Sequence, residues 1–518
     1  MRKAKVTDGS LPSGWEWGAL ETRPLTIAYW LAVAAFALAY WLTPLPPGID
    51  YPQHLALGAL IRRLLDPASP ERLVYEVSPI TYNGLFHFLT AALSWLVPPE
   101  VAGKLLLSGI VLLTGTAFLA VVRVGNRPGW YAFLLLPFCF SHISGWGFVN
   151  YTLGVPLALL VFCWWVRWRD GQPRLWPRIM VGALLLAYAH VLAMVCLCLT
   201  VAVTALSYRT PREQGLGRWT QFTGISLWPL VPAVVWSVLV FLHHRVAPHI
   251  YWEPEKDGTD IPAFQKLRYL SAFSVNNLSD HSDELLFWSA TAVLAALWLS
   301  PLFIRPGAPP RRELTVLAVA WGLLYLTVPR VLMSTWYIFE RIPVFWFTFL
   351  AAAAPTVPDR FDRWLRTIAV SVGITAGLNT AHALHRIPDA QDASAIIDDI
   401  PPTAKVVAVM HGQGAEPALW RQVWVHLLAY HLVRHPGQIA FDFTRYASLP
   451  VRRRDAAAPP LFRSGLEWAP AAYDPTEEYA RVYHLVLVRT PDDRPHEDPR
   501  DLTFGASAQG VRLLARRG

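Results

Sequence analysis

Charged residues are scarce in this sequence, since Asp, Glu, Lys and Arg together make up only 16% of its 518 residues. A soluble protein of this length needs more polar surface, because its exterior faces water. Over half of the residues are hydrophobic, and apolar runs of about 20 residues recur along the chain. This composition excludes a soluble enzyme and predicts a mainly α-helical, polytopic membrane protein.

Cysteine is also scarce, and all four cysteines lie within apolar runs, at Cys139, Cys163, Cys196 and Cys198. They are typical of small buried hydrophobic side chains. The segments predicted outside the membrane contain none, so no disulfide framework is expected there. The sequence has no P-loop, dinucleotide fingerprint, serine-nucleophile elbow or HExxH motif, which argues against a nucleotide-driven pump and a zinc protease of that type.

Tryptophan is frequent and often lies near the ends of apolar runs, as at Trp41 and Trp95, which is typical of interfacial belts. The net charge of +8 comes mainly from arginines in short loops. We interpret them as orienting the protein by the positive-inside rule rather than as a nucleic-acid surface. Ala37–Ala39 weakly resembles a signal-peptidase site, but the apolar run continues to Leu42, which favours an uncleaved first span.

About eleven segments are predicted to span the membrane by length and hydropathy: 25–43, 81–98, 102–122, 129–143, 147–166, 179–207, 221–242, 285–304, 314–334, 339–355 and 365–384. With a cytoplasmic N-terminus, an odd number of spans places the C-terminus outside. Loops 208–220, 305–312 and 356–364 then carry their arginines inside, as the rule requires. Loop 167–178 would carry arginines outside. Either the two predicted spans over 129–166 do not form a simple hairpin, or those arginines meet an anionic group outside the membrane.

Two domains are predicted: a transmembrane domain over 1–384, with outer loops 44–80 and 243–284, and a small extracytoplasmic α/β domain over 385–518. In the second domain, Lys405–Met410, Gln438–Thr444 and Tyr483–Arg489 have the pattern of strands. The segment Pro417–His435 has the apolar spacing of an amphipathic helix.

The stretch Pro44–Leu65 is the most informative part of the chain. Its prolines favour an extended turn that presents Asp50, Tyr51 and His54 just beyond the predicted membrane edge. From Gln53 onward, apolar residues return at helical spacing, which predicts a helix lying in the membrane interface. A carboxylate beside a membrane is costly and rarely idle, although Asp50 could instead cap this helix. His54 could share a metal, orient the carboxylate or simply be solvated.

Polar residues also interrupt the apolar segment 142–154. His142 and Asn150 flank glycines, a pattern that lines cavities in broken membrane helices. Gly145, Gly147 and Gly154 also fit a close contact between helices. Both interpretations stay open.

Two further clusters are candidates for binding a lipid phosphate, through cations and flanking aromatic rings. The first follows a span and comprises His243, His244, Arg245, His249, Tyr251 and Trp252; a solvated basic loop is the alternative. The second begins a span with Glu340 and Arg341, which form either an ordinary interfacial pair or a phosphate site, with Arg330 as a second candidate cation.

The layout resembles the GT-C superfamily of polyprenyl-phosphate-dependent membrane glycosyltransferases, which includes protein O-mannosyltransferases and aminoarabinose transferases. The resemblance rests on Gly48–Ala56, on Gly145–Gly154, on the Glu340–Arg341 pair and on Ile400–Val407. It implies that Asp50 is the catalytic base or helps to hold a metal, and that Arg341 meets the lipid phosphate. From the residue pattern, Tyr51, His54, His142, Asn150, the 243–252 cluster and Glu340 are further candidates for binding substrate. A divalent metal ion is a candidate cofactor, with Asp50 and His54 as candidate ligands. Relatives often carry a second acidic residue, for which Glu71, Glu76, Asp260 and Asp283 are the candidates.

The leading hypothesis is therefore an inverting glycosyltransferase of the cytoplasmic (inner) membrane that serves the cell envelope. It would move a hexosyl or pentosyl group from a polyprenyl-phospho-sugar to a glycan, lipid or protein at the outer face, with no nucleic-acid partner. A flippase or transporter for a lipid-linked glycan is an alternative, although it would predict internal pseudo-symmetry, which the sequence does not display. A non-catalytic subunit of an envelope-assembly complex is the third hypothesis, and it would use Asp50 only as a helix cap.

Overall fold

The protein is described here by a computed structural model. The described residues are 20–208, 216–246, 261–304, 309–332, 335–387, 394, 397–398, 400–402, 404–410, 419, 425–446, 448–454, 485–489, 502–508 and 511–516. The α-helices are α1 Arg23–Ala39, α2 Tyr51–Leu64, α3 Leu85–Leu93, α4 Pro99–Val124, α5 His142–Trp146, α6 Val149–Arg169, α7 Trp176–Ala189, α8 Val191–Tyr208, α9 Leu216–Leu227, α10 Val231–Val246, α11 Ala263–Arg268, α12 Leu270–Ser274, α13 Ser282–Leu299, α14 Arg312–Thr327, α15 Pro343–Ala353, α16 Asp359–His385 and α17 Ala429–Arg434.

The mainly α, polytopic membrane fold is confirmed. Within the described residues, five helical segments are long and apolar enough to cross a membrane by length and composition: Pro99–Val124, Val149–Arg169, Thr223–His243, Ser282–Leu302 and Asp359–His385. Shorter apolar helices, Arg23–Ala39 and Val191–Ser207, pack among them. Large side chains such as Leu31 and Leu239 are exposed on these helices, as expected where a helix faces lipid.

The predicted span 129–143 is a buried 3₁₀-helix, Gly129–Phe140, with Pro137 inside it. A 3₁₀-helix rises about 2.0 Å per residue, so these few residues cover most of the hydrocarbon thickness. The segment begins where Trp130 Nε1 donates to Asp362 Oδ1 at 2.9 Å. It ends at Phe140, whose carbonyl accepts from Asn277 Nδ2 at 2.8 Å. This segment therefore crosses the bundle from one end to the other.

Two other predicted spans are corrected. Segment 81–98 contains only α3, whose nine residues rise about 14 Å at 1.5 Å per residue, too short to cross a membrane. Segment 179–207 forms two helices, α7 and α8, because His190 adopts an extended conformation between them. The Nδ1 atom of His190 accepts from Leu192 N at 3.1 Å, which satisfies one free donor at the start of α8. One predicted crossing is thus lost, and another is divided into two shorter helices.

Loop 167–178 lies at the same end of the bundle as the other arginine-bearing loops, contrary to the sequence-based topology. Arg311 Nη1 lies 3.1 Å from Asp170 Oδ2 and donates to the carbonyl of Val124 at 3.2 Å. At this same end, Tyr131 Oη donates to the carbonyl of Pro355 at 2.8 Å. Loss of the 81–98 span accounts for this difference, because it reverses the direction of every later segment up to 178, while Gly129–Phe140 and α6 still form a hairpin.

The C-terminal part contains a five-stranded sheet in the order β3-β2-β5-β7-β6. Its strands are β2 Lys405–Met410, β3 Gln438–Ile439, β5 Leu485–Arg489, β6 Leu502–Ala508 and β7 Val511–Arg516. β2 runs parallel to β3 and β5, and the remaining pairs are antiparallel. Of the predicted helix 417–435, the structure describes Leu419 and 425–435, and among these residues α17 is the helical part.

The C-terminal part also pairs directly with the first loop. Strand β1 Tyr75–Val77 is antiparallel to β4 Val451–Arg453. Helix α2 lies between α3 on one side and α17 on the other. Nearly every residue from Tyr51 to Ile61 is buried, so α2 is enclosed by protein rather than lying on the interface alone.

Candidate functional site

The turn before α2 is held against the end of α5 and Gly147, which follows it. Ile49 N donates to the carbonyl of Gly145 at 3.3 Å, and Asp50 N donates to the carbonyl of Trp146 at 2.9 Å. Gly147 has φ +80°, and a Cβ added there would lie 2.5 Å from Tyr51 N. Only glycine fits this approach without displacement. The two sequence stretches singled out by their glycines and polar residues thus form one contact.

Asp50 occupies the N-cap position of α2, yet its side chain makes no capping hydrogen bond with the described residues. Instead, Oδ1 of Asp50 lies 3.4 Å from Nε2 of His426, and the Asp50 side chain is 18% exposed. A carboxylate that neither caps a helix nor points fully into water is placed for another purpose.

His54 is buried rather than solvated, and its Nδ1 lies 2.9 Å from Nε2 of His87. Burial lowers the pKa of His54 to about 4, against a smaller opposing effect of Asp50. His54 is therefore neutral at pH 7.

The metal ligands proposed from the sequence do not gather around a common point. Asp50 faces His426, whereas the ring of His54 faces His87. Among the described residues, no group of three or more His, Cys, Asp and Glu side chains is arranged to hold a metal ion. Because a protein metal site needs several converging donors, the present donor set does not fit one, and no step is derived through a metal.

Arg341 lies buried between aromatic rings and two polar partners. Its Nη1 is 3.2 Å from His190 Nε2, and its Nη2 donates to the carbonyl of Trp336 at 3.3 Å. The guanidinium carbon lies 4.6 Å from the ring centre of Phe148 and 5.0 Å from that of Tyr151. Its Nε has no hydrogen-bond partner within the described part of the chain. The guanidinium is thus fixed between these rings, and its Nε–H is a donor available to a ligand.

A small cavity opens beside Arg341. It is lined by the acidic and basic side chains of Glu340 and Arg341, by hydroxyl groups and by apolar residues of α4 and the 3₁₀-helix. The hydroxyl-bearing residues are Thr114, Ser141, Ser144, Tyr151, Thr152 and Ser274. Glu340 is buried and pairs with Arg330, whose Nε lies 2.9 Å from Oε1. The cavity therefore combines a cation, an acid and hydroxyls with an apolar wall.

Asp50 and Arg341 are close enough to interact electrostatically. The end of α5 and the residues after it separate them, since the carbonyl of Trp146 accepts from the backbone N–H of Asp50 and Phe148 lies against the Arg341 guanidinium. Tyr337 packs on Trp146 with ring centres 4.4 Å apart. The acid and the cation named from the sequence thus lie at one end of the bundle, on either side of one short segment.

Three other candidate residues make contacts within the protein. Tyr51 packs its hydroxyl against Gly103 of α4, and that oxygen has no hydrogen-bond partner among the described residues. Asn150 Oδ1 accepts from Phe86 N at 3.1 Å, which ties α6 to the start of α3. His142 Nε2 accepts from Trp146 Nε1 at 3.2 Å.

The 243–252 cluster lies mostly outside the described residues. His243 is exposed near the end of α10, and the backbones of His244 and Arg245 continue that helix. The side chains of His244 and Arg245, and all of His249, Tyr251 and Trp252, lie outside the described part. The role predicted for this cluster stays a prediction.

Two histidines that sequence reasoning missed belong to this region. His190 sits within an apolar run that resembled one continuous span, and it contacts Arg341. His426 lies in the C-terminal part and contacts Asp50. A polar residue in the middle of a long apolar run was a usable signal for His190, whereas nothing local marks His426.

Comparison with known proteins found no matching family model and no matching curated protein. Among solved structures, ArnT from Cupriavidus metallidurans bound to undecaprenyl phosphate superposes with a TM-score of 0.57 at 12% identity, over 95% of this chain and 97% of that chain. Its apo form gives a TM-score of 0.55 at 13% identity, over the same shares. The chain has the fold of ArnT. The mainly α membrane fold expected from the sequence is thereby confirmed, and the ArnT-like match extends beyond the membrane helices into the C-terminal part.

Proposed function

We propose that this protein is a membrane glycosyltransferase that transfers a sugar from a polyprenyl-phosphate donor to an acceptor. The observation that carries the proposal is the presence of a non-capping carboxylate, Asp50, and a buried guanidinium, Arg341, at the same end of an ArnT-like bundle. The ArnT structure with undecaprenyl phosphate supports a lipid donor of this class.

In this mechanism the lipid tail of the donor stays in the bilayer, and its phosphate meets Arg341. The acceptor hydroxyl attacks the anomeric carbon, and Asp50 takes the hydroxyl proton. As the new glycosidic bond forms, the bond from the sugar to the phosphate oxygen breaks. The polyprenyl phosphate leaves with the bonding electrons, and the Arg341 guanidinium stabilises its charge. Direct displacement of this kind inverts the anomeric centre. The lipid-linked donor supplies the free energy, so no nucleotide is needed.

The rings of Tyr151 and Phe148 pack against the Arg341 guanidinium. This packing restricts the rotamers of Arg341, so the cation is already oriented when the phosphate binds. The hydroxyls and Glu340 that line the adjacent cavity provide hydrogen-bond partners for sugar hydroxyls. The acceptor class, whether glycan, lipid or protein, is left open by this geometry.

The proposal includes an orientation. The site lies at the outer face of the cytoplasmic membrane, the N-terminus lies in the cytoplasm, and the region 385–518 forms an extracytoplasmic domain on the transmembrane domain 1–384. The arginines of loop 167–178 support this orientation, because they share the end opposite to Asp50 with the other basic loops.

The two alternative functions have less support. An assembly subunit would use Asp50 as a helix cap, but its side chain makes no capping bond among the described residues. A flippase of the repeat type predicts internal pseudo-symmetry, and the sequence contains no internal repeat.

The test is transfer from radiolabelled polyprenyl-phospho-sugars by purified protein. We expect Asp50→Asn to lower transfer by about 10²–10⁴-fold, the range of a general base. Asp66→Asn is the matched control, because Asp66 lies in the same loop and its side chain accepts a local hydrogen bond from the backbone N of Ala68. Transfer by Asp50→Asn at the wild-type rate would remove Asp50 from the mechanism.

A further inference from the structure

We propose that His426 is a positioning residue for Asp50, so that the C-terminal part of the chain completes the transfer site. The inference rests on the proposed function, in which Asp50 is the base. It means that the transmembrane helices alone do not form the complete transfer site, because His426 comes from the segment that follows β2.

The contact between the two side chains is close and sheltered. Nε2 of His426 lies 3.4 Å from Oδ1 of Asp50, and the His426 side chain is 4% exposed. With the imidazole on Oδ1, Oδ2 is the oxygen left to receive a proton. A carboxylate with one oxygen fixed presents the other in a defined direction, which is what proton abstraction from a bound hydroxyl requires.

The His426 ring is fixed by aromatic neighbours from the C-terminal part. It stacks on Phe441 with ring centres 5.4 Å apart and planes at 13°. Phe443 meets it edge-on at 5.6 Å. Such rings restrict imidazole rotation, so the direction of Nε2 is determined by packing.

Helix α2 holds the same aromatic segment. Gln53 Nε2 donates to the carbonyl of Phe441 at 3.1 Å, and Phe443 N donates to Gln53 Oε1 at 3.2 Å. Gln53 lies one helical turn after Asp50, so a single helix carries the carboxylate and clamps the segment that positions its partner.

Four further polar contacts secure this segment. Asp442 lies 2.6 Å from Arg453 Nη2 in a buried ion pair and accepts from Tyr75 Oη at 3.3 Å. Arg63 donates to the carbonyls of Leu432 and Val433 at 2.6 and 3.3 Å. The C-terminal segment is therefore held on the first loop by polar contacts that are largely shielded from solvent, rather than by surface charges.

The direction of the effect follows from the titratable and charged groups near Asp50, which are His426, His54 and Arg341. The other two groups have their own partners, since His54 pairs with His87 and Arg341 lies against Phe148. His426 thus provides the direct contact that orients the carboxylate. Removing it should affect the chemical step more than donor binding.

The experiment compares His426→Phe, which keeps an aromatic ring on Phe441 but has no N–H, with His426→Gln, which restores an N–H donor. The readouts are kcat and KM for transfer, and the Kd for undecaprenyl phosphate. We expect His426→Phe to lower kcat by about 10–100-fold, the usual effect of losing a supporting partner. KM and Kd should change by less than about threefold, and His426→Gln should recover part of kcat. His435→Gln, on the same segment, is the matched control.

Three results would overturn the inference: wild-type kcat in His426→Phe, equal loss of kcat in both His426 variants, or parallel loss of kcat and of undecaprenyl phosphate affinity. Failure of the proposed function looks different. In that case the wild type does not transfer sugar, or Asp50→Asn transfers at the wild-type rate whatever the His426 variants do.

Discussion

At the scale of single residues, two arginines compete for the role of phosphate ligand, and their partners separate them. Arg330 lies 2.9 Å from the carboxylate of Glu340, which offsets its charge. Arg341 instead contacts an imidazole, a backbone carbonyl and two aromatic faces. A cation without a carboxylate contact retains more attraction for an incoming phosphate.

Replacing Arg341 should therefore impair the lipid-phosphate step. We expect Arg341→Gln to lower transfer by about 10²–10³-fold, as when one preorganised donor to a developing anion is lost. The Kd for undecaprenyl phosphate, measured by titration in detergent, should rise in parallel. Arg268→Gln, an exposed cation of the second loop, is the control and should leave both values unchanged. Unaltered phosphate affinity in Arg341→Gln would assign Arg341 a packing role.

His54 makes stability depend on pH. Its pKa is about 4 in the folded protein against 6.5 for the free side chain, so the unfolded chain binds more protons between these values. This contribution is fully present above pH 6.5 and is lost as pH falls toward 4, on the order of 3 kcal/mol for a shift of this size. We expect His54→Gln to flatten the fall of Tm between pH 6.5 and 4.5 in detergent. His243→Gln, at an exposed histidine, should keep the wild-type slope; an unchanged slope in His54→Gln would contradict the prediction.

At the scale of elements, glycines allow two close approaches of different kinds. Gly154 of α6 faces α8, where an added Cβ would lie 2.7 Å from Cβ of Ala193, so the helix contact predicted from the sequence is confirmed there. Gly147 instead packs against the backbone of the turn that carries Asp50. The same residue type thus serves helix packing in one place and placement of the carboxylate in the other.

Gly147→Ala tests this second role, and Gly171→Ala is its matched control. Both glycines have positive φ, +80° and +105°, but no described residue comes within 4 Å of a Cβ at Gly171. Backbone strain alone costs roughly 1–3 kcal/mol, so both variants should lose some stability. Gly147→Ala should in addition displace Asp50 and lower transfer by at least about tenfold. Equal activity of the two variants at matched folded fraction would contradict this assignment.

Local pattern predicted many elements but not their connections. The strands at Lys405–Met410 and Leu485–Arg489 follow from apolar runs beside turns, and both are present. Hydropathy also marked 81–98 and 179–207 as single spans, because it measures apolar content and not where a chain turns back. Asp50 and Arg341 could be named from local signals, whereas the contact of Asp50 with His426 depends on how a distant segment docks.

At the scale of the whole molecule, the direction of each membrane segment agrees with the distribution of basic loops once the predicted spans are corrected. Loop 167–178 and residues 309–312 meet through Asp170 and Arg311, while Glu100 at the other end pairs with Arg434 of α17 at 2.8 Å. Basic loops therefore gather at the end opposite the proposed site. The positive-inside rule is then satisfied without placing an anionic partner outside the membrane.

Topology can be measured with single cysteines and a membrane-impermeant maleimide, after replacing the four native cysteines with alanine. The variants are Arg174→Cys, Arg363→Cys and Ala68→Cys. Arg174 and Arg363 are exposed at one end of the bundle, and Ala68 is exposed at the other. We expect Ala68→Cys to react in intact cells, and the other two to react only after permeabilisation. The decisive position is Arg174, because a topology with 81–98 as a span places it outside. Labelling of Arg174→Cys in intact cells would restore that span and place loop 167–178 at the end opposite to Arg311, which the contact between Asp170 and Arg311 argues against.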